Sequence, residues 1–161
     1  MNATADGSTV HLHLGAQDVE LRWKDAQSAP ADAQSRTLPL GLARLQQLHR
    51  FTRPPRPLAL EGAIESIEDA VMPLARAVPA GARLVLDPAQ APAGLVEALG
   101  QPEFDLAAVE AAFSRLSDLA LGRPAAQAGV PEAPDFAIAL LIVREALHHL
   151  PLHGGRWQAG A

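Results

Sequence analysis

The chain has 161 residues, 48% of them apolar and 19% charged, a net charge of −5 and no cysteine. That length and apolar content suit one core-forming domain, 1–161, and exclude disorder throughout. The acidic balance argues against a dedicated nucleic-acid binder, and the missing cysteine excludes disulfides, thiolate metal sites and cysteine nucleophiles.

Residues 9–24 read as a β-hairpin. Val10, Leu12 and Leu14 alternate with His11 and His13, and Val19, Leu21 and Trp23 alternate with Glu20, Arg22 and Lys24. This is the two-residue period of half-buried strands, with a turn at 15–18. Pairing places six apolar side chains on one face and the imidazoles and charges on the other. An isolated hairpin is marginal in water, so this one is expected to lie on helices or join a sheet.

Residues 25–37 are polar and small and read as a flexible loop. A helix is expected from near Pro39, carrying Leu42, Leu45 and Leu48. It must stop before Arg53-Pro54-Pro55-Arg56-Pro57, which favours polyproline II. Over 58–78, Leu60, Ile64, Ile67, Val71, Leu74 and Val78 form one helical stripe, with a kink at Pro73 near Met72. Arg83–Leu86 reads as a short strand ended by Asp87-Pro88, and 92–99 as a brief helix ended by Gly100.

Asp105 is placed to cap a helix from Leu106, which Gly122 ends. A proline-punctuated loop spans 123–134. The last helix, with Asp135 as its expected cap, runs from Phe136 to about Leu150 and is apolar on nearly every side in its first half. Residues 151–161, with their His-Gly-Gly-Arg-Trp, read as a tail. The fold class is therefore α+β. An N-terminal hairpin and one short strand pack on four to five helices, most of them in a core over 38–150.

The longest apolar run, 136–143, is too short for a membrane span. The opening MNATADGS has neither the basic nor the apolar region of a secretory signal. Lys24 is the only lysine beside many arginines, alanines and prolines, a composition of GC-rich bacterial coding. These features give the expectation of a bacterial cytoplasmic protein that meets neither membrane nor nucleic acid.

The sequence carries no Gly-rich phosphate loop, GxGxxG, GxSxG or HExxH motif, and no catalytic residue is assigned. Three polar groupings remain. Glu145, His148 and His149 lie three and four residues apart at a helix end. A Glu-x-x-His step serves di-iron bundles, which need it twice. Here it occurs once, and histidines at a helix C-terminus also suit the dipole. Glu61, Glu65, Glu68 and Asp69 form an acidic run, a solvated face in the plainer account. Glu65 and Glu68 could nevertheless meet Glu145 and His149 across a helix contact and hold a divalent metal. His11 and His13 share one strand face but lack a third ligand nearby.

The leading functional expectation is a non-enzymatic binding or assembly module acting through a protein partner or a second copy. Phe136, Leu140, Leu141 and Val143 are its expected interface. The alternative is a metal-dependent enzyme using the Glu/His cluster on helices 58–78 and 136–150, with Glu65, Glu68, Glu145, His148 and His149 as ligands.

Overall fold

The computed structural model describes residues 7–25, 29 and 32–161. The hairpin strands are β1 (Thr9–Leu14) and β2 (Val19–Lys24). Their antiparallel register sets Val10 opposite Trp23, Leu12 opposite Leu21 and Leu14 opposite Val19. The alternation thus sorts the side chains as it should: Val10, Leu12, Val19, Leu21 and Trp23 are buried in the main core.

The hairpin belongs to a six-stranded mixed sheet. Its further strands are β3 (Gln34–Leu38), β4 (Ala82–Leu86), β5 (Glu103–Phe104) and β6 (Leu152–Trp157). The spatial order is β3-β2-β1-β4-β6-β5. β1, β4 and β6 run parallel at the centre, while β2, β3 and β5 pair antiparallel. Parallel neighbours need long crossovers, and helices supply them.

Between β3 and β4 come α1 (Leu42–Leu48) and α2 (Pro57–Val71), the latter continuing as a 3₁₀ turn over Met72–Leu74. Pro57 occupies the first turn of α2, where its missing N–H costs nothing, and Pro73 changes the helix type at the expected place. Between β4 and β6 come α3 (Leu95–Leu99), α4 (Leu106–Ala120), α5 (Ala125–Ala128) and α6 (Pro134–His149). Asp105 caps α4 by accepting from the Ala108 amide at 2.9 Å.

The helices share one core with the Val10/Leu12 face of the sheet. The opposite sheet face carries Thr9, His11, His13, Glu20, Arg22, Lys24, Arg83, Val85 and Arg156, none of them in that core.

The structure corrects four expectations. Within 25–37, residues 34–37 are the body of β3, an edge strand held by its ladder to β2. Its Gln34, Ser35, Arg36 and Thr37 side chains are exposed, so no apolar period could signal it. The positions 26–28 and 30–31 of that expected loop lie outside the described residues. Residues 152–157 are no tail but the inner strand β6, and its glycines serve close packing. A Cβ at Gly155 would stand 2.2 Å from the Phe104 ring. Phe104 also packs against Trp157, with ring centroids 5.6 Å apart. Third, Asp135 lies inside α6, which Pro134 opens without any side-chain cap.

The fourth correction concerns Phe136, Leu140, Leu141 and Val143, each 0% exposed within this single chain. They offer no outer face to a partner. An all-apolar helix is also the signature of an element enclosed on every side, and α6 packs against α1, α2, α4 and β6.

Candidate functional site

Two polar groupings stand out, at opposite ends of the parallel strands. The first joins the ends of α2 and α6. Glu145 and His149 are one helical turn apart, and α6 brings them against Glu68 in the last turn of α2. The His149 Nε2 lies 3.2 Å from Glu145 Oε2 and 3.7 Å from Glu68 Oε1. Glu145 is only 3% exposed, and its other oxygen accepts from the Arg144 guanidinium at 2.6 Å. Arg144 in turn donates to Glu110 of α4 at 2.8 Å and lies 4.2 Å over the Phe113 ring. His148 turns to the same Glu110 oxygen, 2.6 Å away. Burial pushes the Glu110 carboxyl up. The hydrogen bonds and charge of His148 and Arg144 outweigh it and hold the group below its ordinary value.

Of the five residues expected at a metal, the structure brings together three. One ligand atom each from Glu68, Glu145 and His149 lies within 4.8 Å of the others. Two carboxylates and one imidazole are a donor set suited to a divalent cation, and three protein ligands leave a position open. His148 belongs instead to the Glu110 pair, and Glu65 points to a separate surface pocket beside His49 and Gly62. Arg144 and Glu110 were not singled out in the sequence. Glu110 lies 34 residues from Arg144, and only the packing of α4 on α6 makes them neighbours.

The second grouping is the polar face of the hairpin. His13 stands opposite Glu20 and His11 opposite Arg22 in the ladder. With Ala161 these residues line a pocket of about 530 Å³. Arg22 Nε donates to Glu20 at 2.8 Å. Burial lowers the His11 pKa, and the positive Arg156 and Lys24 lower it further.

Just beyond the pocket, the turn at 15–18 is fastened to the start of α1. The amides of Leu42, Ala43 and Arg44 donate to the Gly15 and Ala16 carbonyls at 2.9 to 3.1 Å. Gly41 makes this approach possible, since a Cβ there would lie 2.2 Å from the Gln17 carbonyl carbon. The turn is therefore rigidly seated where β1 ends. In open sheets with parallel strands, ligands gather at the carboxyl ends of those strands. The hairpin pocket borders that end, whereas Glu68, Glu145 and His149 border the end at which β4 and β6 begin.

No family model matches the chain, and no curated protein matches it in sequence. Solved structures do match its fold. A Ppx/GppA enzyme of Aquifex aeolicus superimposes with a TM-score of 0.65 at 11% identity, over 95% of this chain and 54% of that one. An exopolyphosphatase from Cytophaga hutchinsonii gives 0.62 at 12% identity, over 96% and 54%. An exopolyphosphatase-like protein gives 0.62 at 14% identity, over 99% and 58%. The chain thus spans about half the length of these structures.

At such identities the likeness is one of fold. It nevertheless overturns the expectation of a non-enzymatic binding module, because these solved neighbours are described as enzymes, phosphatases among them. Among the described residues, no helix is long and apolar enough to cross a membrane.

Proposed function

We propose that this chain is a phosphohydrolase acting on phosphate esters or phosphoanhydrides, with a divalent cation bound at Glu68, Glu145 and His149. The observation that carries the reading is the superposition of 95–96% of the chain on Ppx/GppA and exopolyphosphatase structures. Polyphosphate is the first substrate to test, because it is the one those names imply.

The hairpin pocket supplies suitable groups for this chemistry. His13, opposite Glu20, takes a proton from a water as its oxygen bonds to phosphorus. The bridging P–O bond breaks, and the leaving oxygen picks up a proton from solvent. Arg22 neutralises phosphate oxygens at the pocket wall. A cation at the α2–α6 end would offset the charge of the two carboxylates and fasten the helices together. It sits away from the hairpin, so its effect there is on stability and not on the reacting atoms.

The test is orthophosphate release from polyphosphate, pyrophosphate and p-nitrophenyl phosphate by the purified chain with magnesium or manganese. Release from at least one substrate supports the proposal. No release from any of them overturns it.

A further inference from the structure

On the same open sheet face, one row away from the hairpin pocket, lies a second pocket of about 280 Å³. Its walls are Thr9, His11, Lys24, Arg156 and Gln158, with Gly7 and Ser8 at one side. In register, His11 of β1, Val85 of β4 and Arg156 of β6 form one row across three strands. Val85 is fully buried yet stands outside the helical core, so it belongs to this face.

The charge arrangement of the face is uneven. Arg22 is paired with Glu20, and Arg83 with Glu103 at 2.7 Å. Among the described residues, Lys24 and Arg156 have no carboxylate within ion-pair distance. The Arg156 Nε is buried and without a hydrogen-bond partner, although Nη2 donates to Gln158 at 3.2 Å. A buried guanidinium donor left unpaired is costly, which marks a place where an acceptor belongs. The two cations also lower the His11 pKa, after burial itself, so the pocket carries a positive local field in a chain of net charge −5. Donors on three sides and a field of one sign are what a tetrahedral oxyanion needs.

We propose that Thr9, His11, Lys24 and Arg156 form an anion site for a phosphoryl group, either free orthophosphate or one unit of a phosphate chain. Arg156 Nε and the Lys24 ammonium donate to its oxygens, and a ring N–H of His11, whose Nε2 lies 3.4 Å from Thr9 Oγ1, adds a third hydrogen bond. The site is independent of any hydrolysis at the hairpin, so failure of the phosphate-release assay leaves it standing.

The experiment is titration of the purified chain with orthophosphate and, separately, tripolyphosphate at fixed ionic strength, following the His11 ring by NMR. Both anions are expected to move the His11 resonances. Lys24→Gln and Arg156→Gln should each weaken binding by about tenfold or more, the loss of one charge-assisted bond. Arg44→Gln, the same charge change on the helical side, should bind like the parent. Lys24 is exposed, so its variant keeps the test valid if Arg156→Gln fails to fold. Tighter tripolyphosphate binding identifies a phosphate chain as the ligand, and equal affinities identify a single phosphoryl group. Equal affinity in Lys24→Gln and Arg44→Gln, or the same shifts from added chloride, would overturn the site.

Discussion

Glu145 is the most consequential polar residue in the helical layer. It is 3% exposed, and it accepts from Arg144 at 2.6 Å and meets His149 at 3.2 Å. Removing one member of a buried ion pair commonly costs about 3–5 kcal/mol, because the remaining charge stays desolvated. Here the remaining Arg144 side chain is 18% exposed and keeps Glu110 at 2.8 Å and the face of Phe113. That relief brings the expected cost of Glu145→Ala down to about 2–3 kcal/mol. For a chain of this length the melting temperature should fall by about 5–10 °C.

Urea unfolding followed by circular dichroism measures the loss. A cycle with Arg144→Met isolates the pair, whose coupling should be about 1–2 kcal/mol. A Glu145→Ala variant within about 0.5 kcal/mol of the parent, the range of an ordinary surface change, would refute this reasoning. The same protein reports on the cation. Manganese or zinc should raise the parent's melting temperature, and Glu145→Ala should abolish that rise.

Further expectations follow from individual contacts. Leu12→Asp should unfold the chain or cost more than about 4 kcal/mol in urea titration, because it buries an unpaired charge, while His13→Asp should leave stability nearly unchanged. Gly155→Ala should cost about 1–3 kcal/mol and alter tryptophan fluorescence, since the new methyl strikes Phe104 beside Trp157. Glu110 titrates below its ordinary 4.5 when folded, so its contribution is present above that pH and is lost as pH falls through the lower folded value. Glu110→Gln should flatten the acid limb of the stability–pH curve. Burial lowers the His49 pKa, so the unfolded chain binds its proton first and stability falls as pH drops through 6.5. His49→Gln should reduce that fall, as read by thermal melts at successive pH values.

How legible the molecule was in its sequence depended on where each element buries its side chains. The hairpin was readable because one face is core and the other is not, so a period of two is written into Val10–Trp23. The stripe of α2 and the cap of α4 were readable for the same local reasons. β3 and β6 were not, because backbone ladders hold them and their residues carry no apolar period. Gly154 and Gly155 looked like slack, but Phe104, about fifty residues earlier in the chain, needs the space at Gly155.

At the candidate metal cluster, helical spacing predicted the Glu145–His149 pair, and the meeting with Glu68 depended on packing that sequence could only allow. Spacing could not show that His148 would prefer Glu110. The two histidines of β1 were visible from the start. Their neighbours Glu20 and Arg22 follow from the hairpin register, but Arg156 comes from a segment that reads as a tail.

The most direct test of the proposed activity is a comparison of polyphosphate hydrolysis by the parent chain, His13→Ala and Glu20→Gln, with magnesium or manganese present. Both residues lie on the open sheet face outside the core, so melting temperatures should remain close to the parent's. Loss of a general base lowers turnover by about a hundredfold or more. The parent should release measurable orthophosphate, and His13→Ala should show a fall of that size, with Glu20→Gln also reduced. Release that is equal in all three proteins would contradict the placement of the chemistry at the hairpin, and no release by the parent would contradict the activity itself.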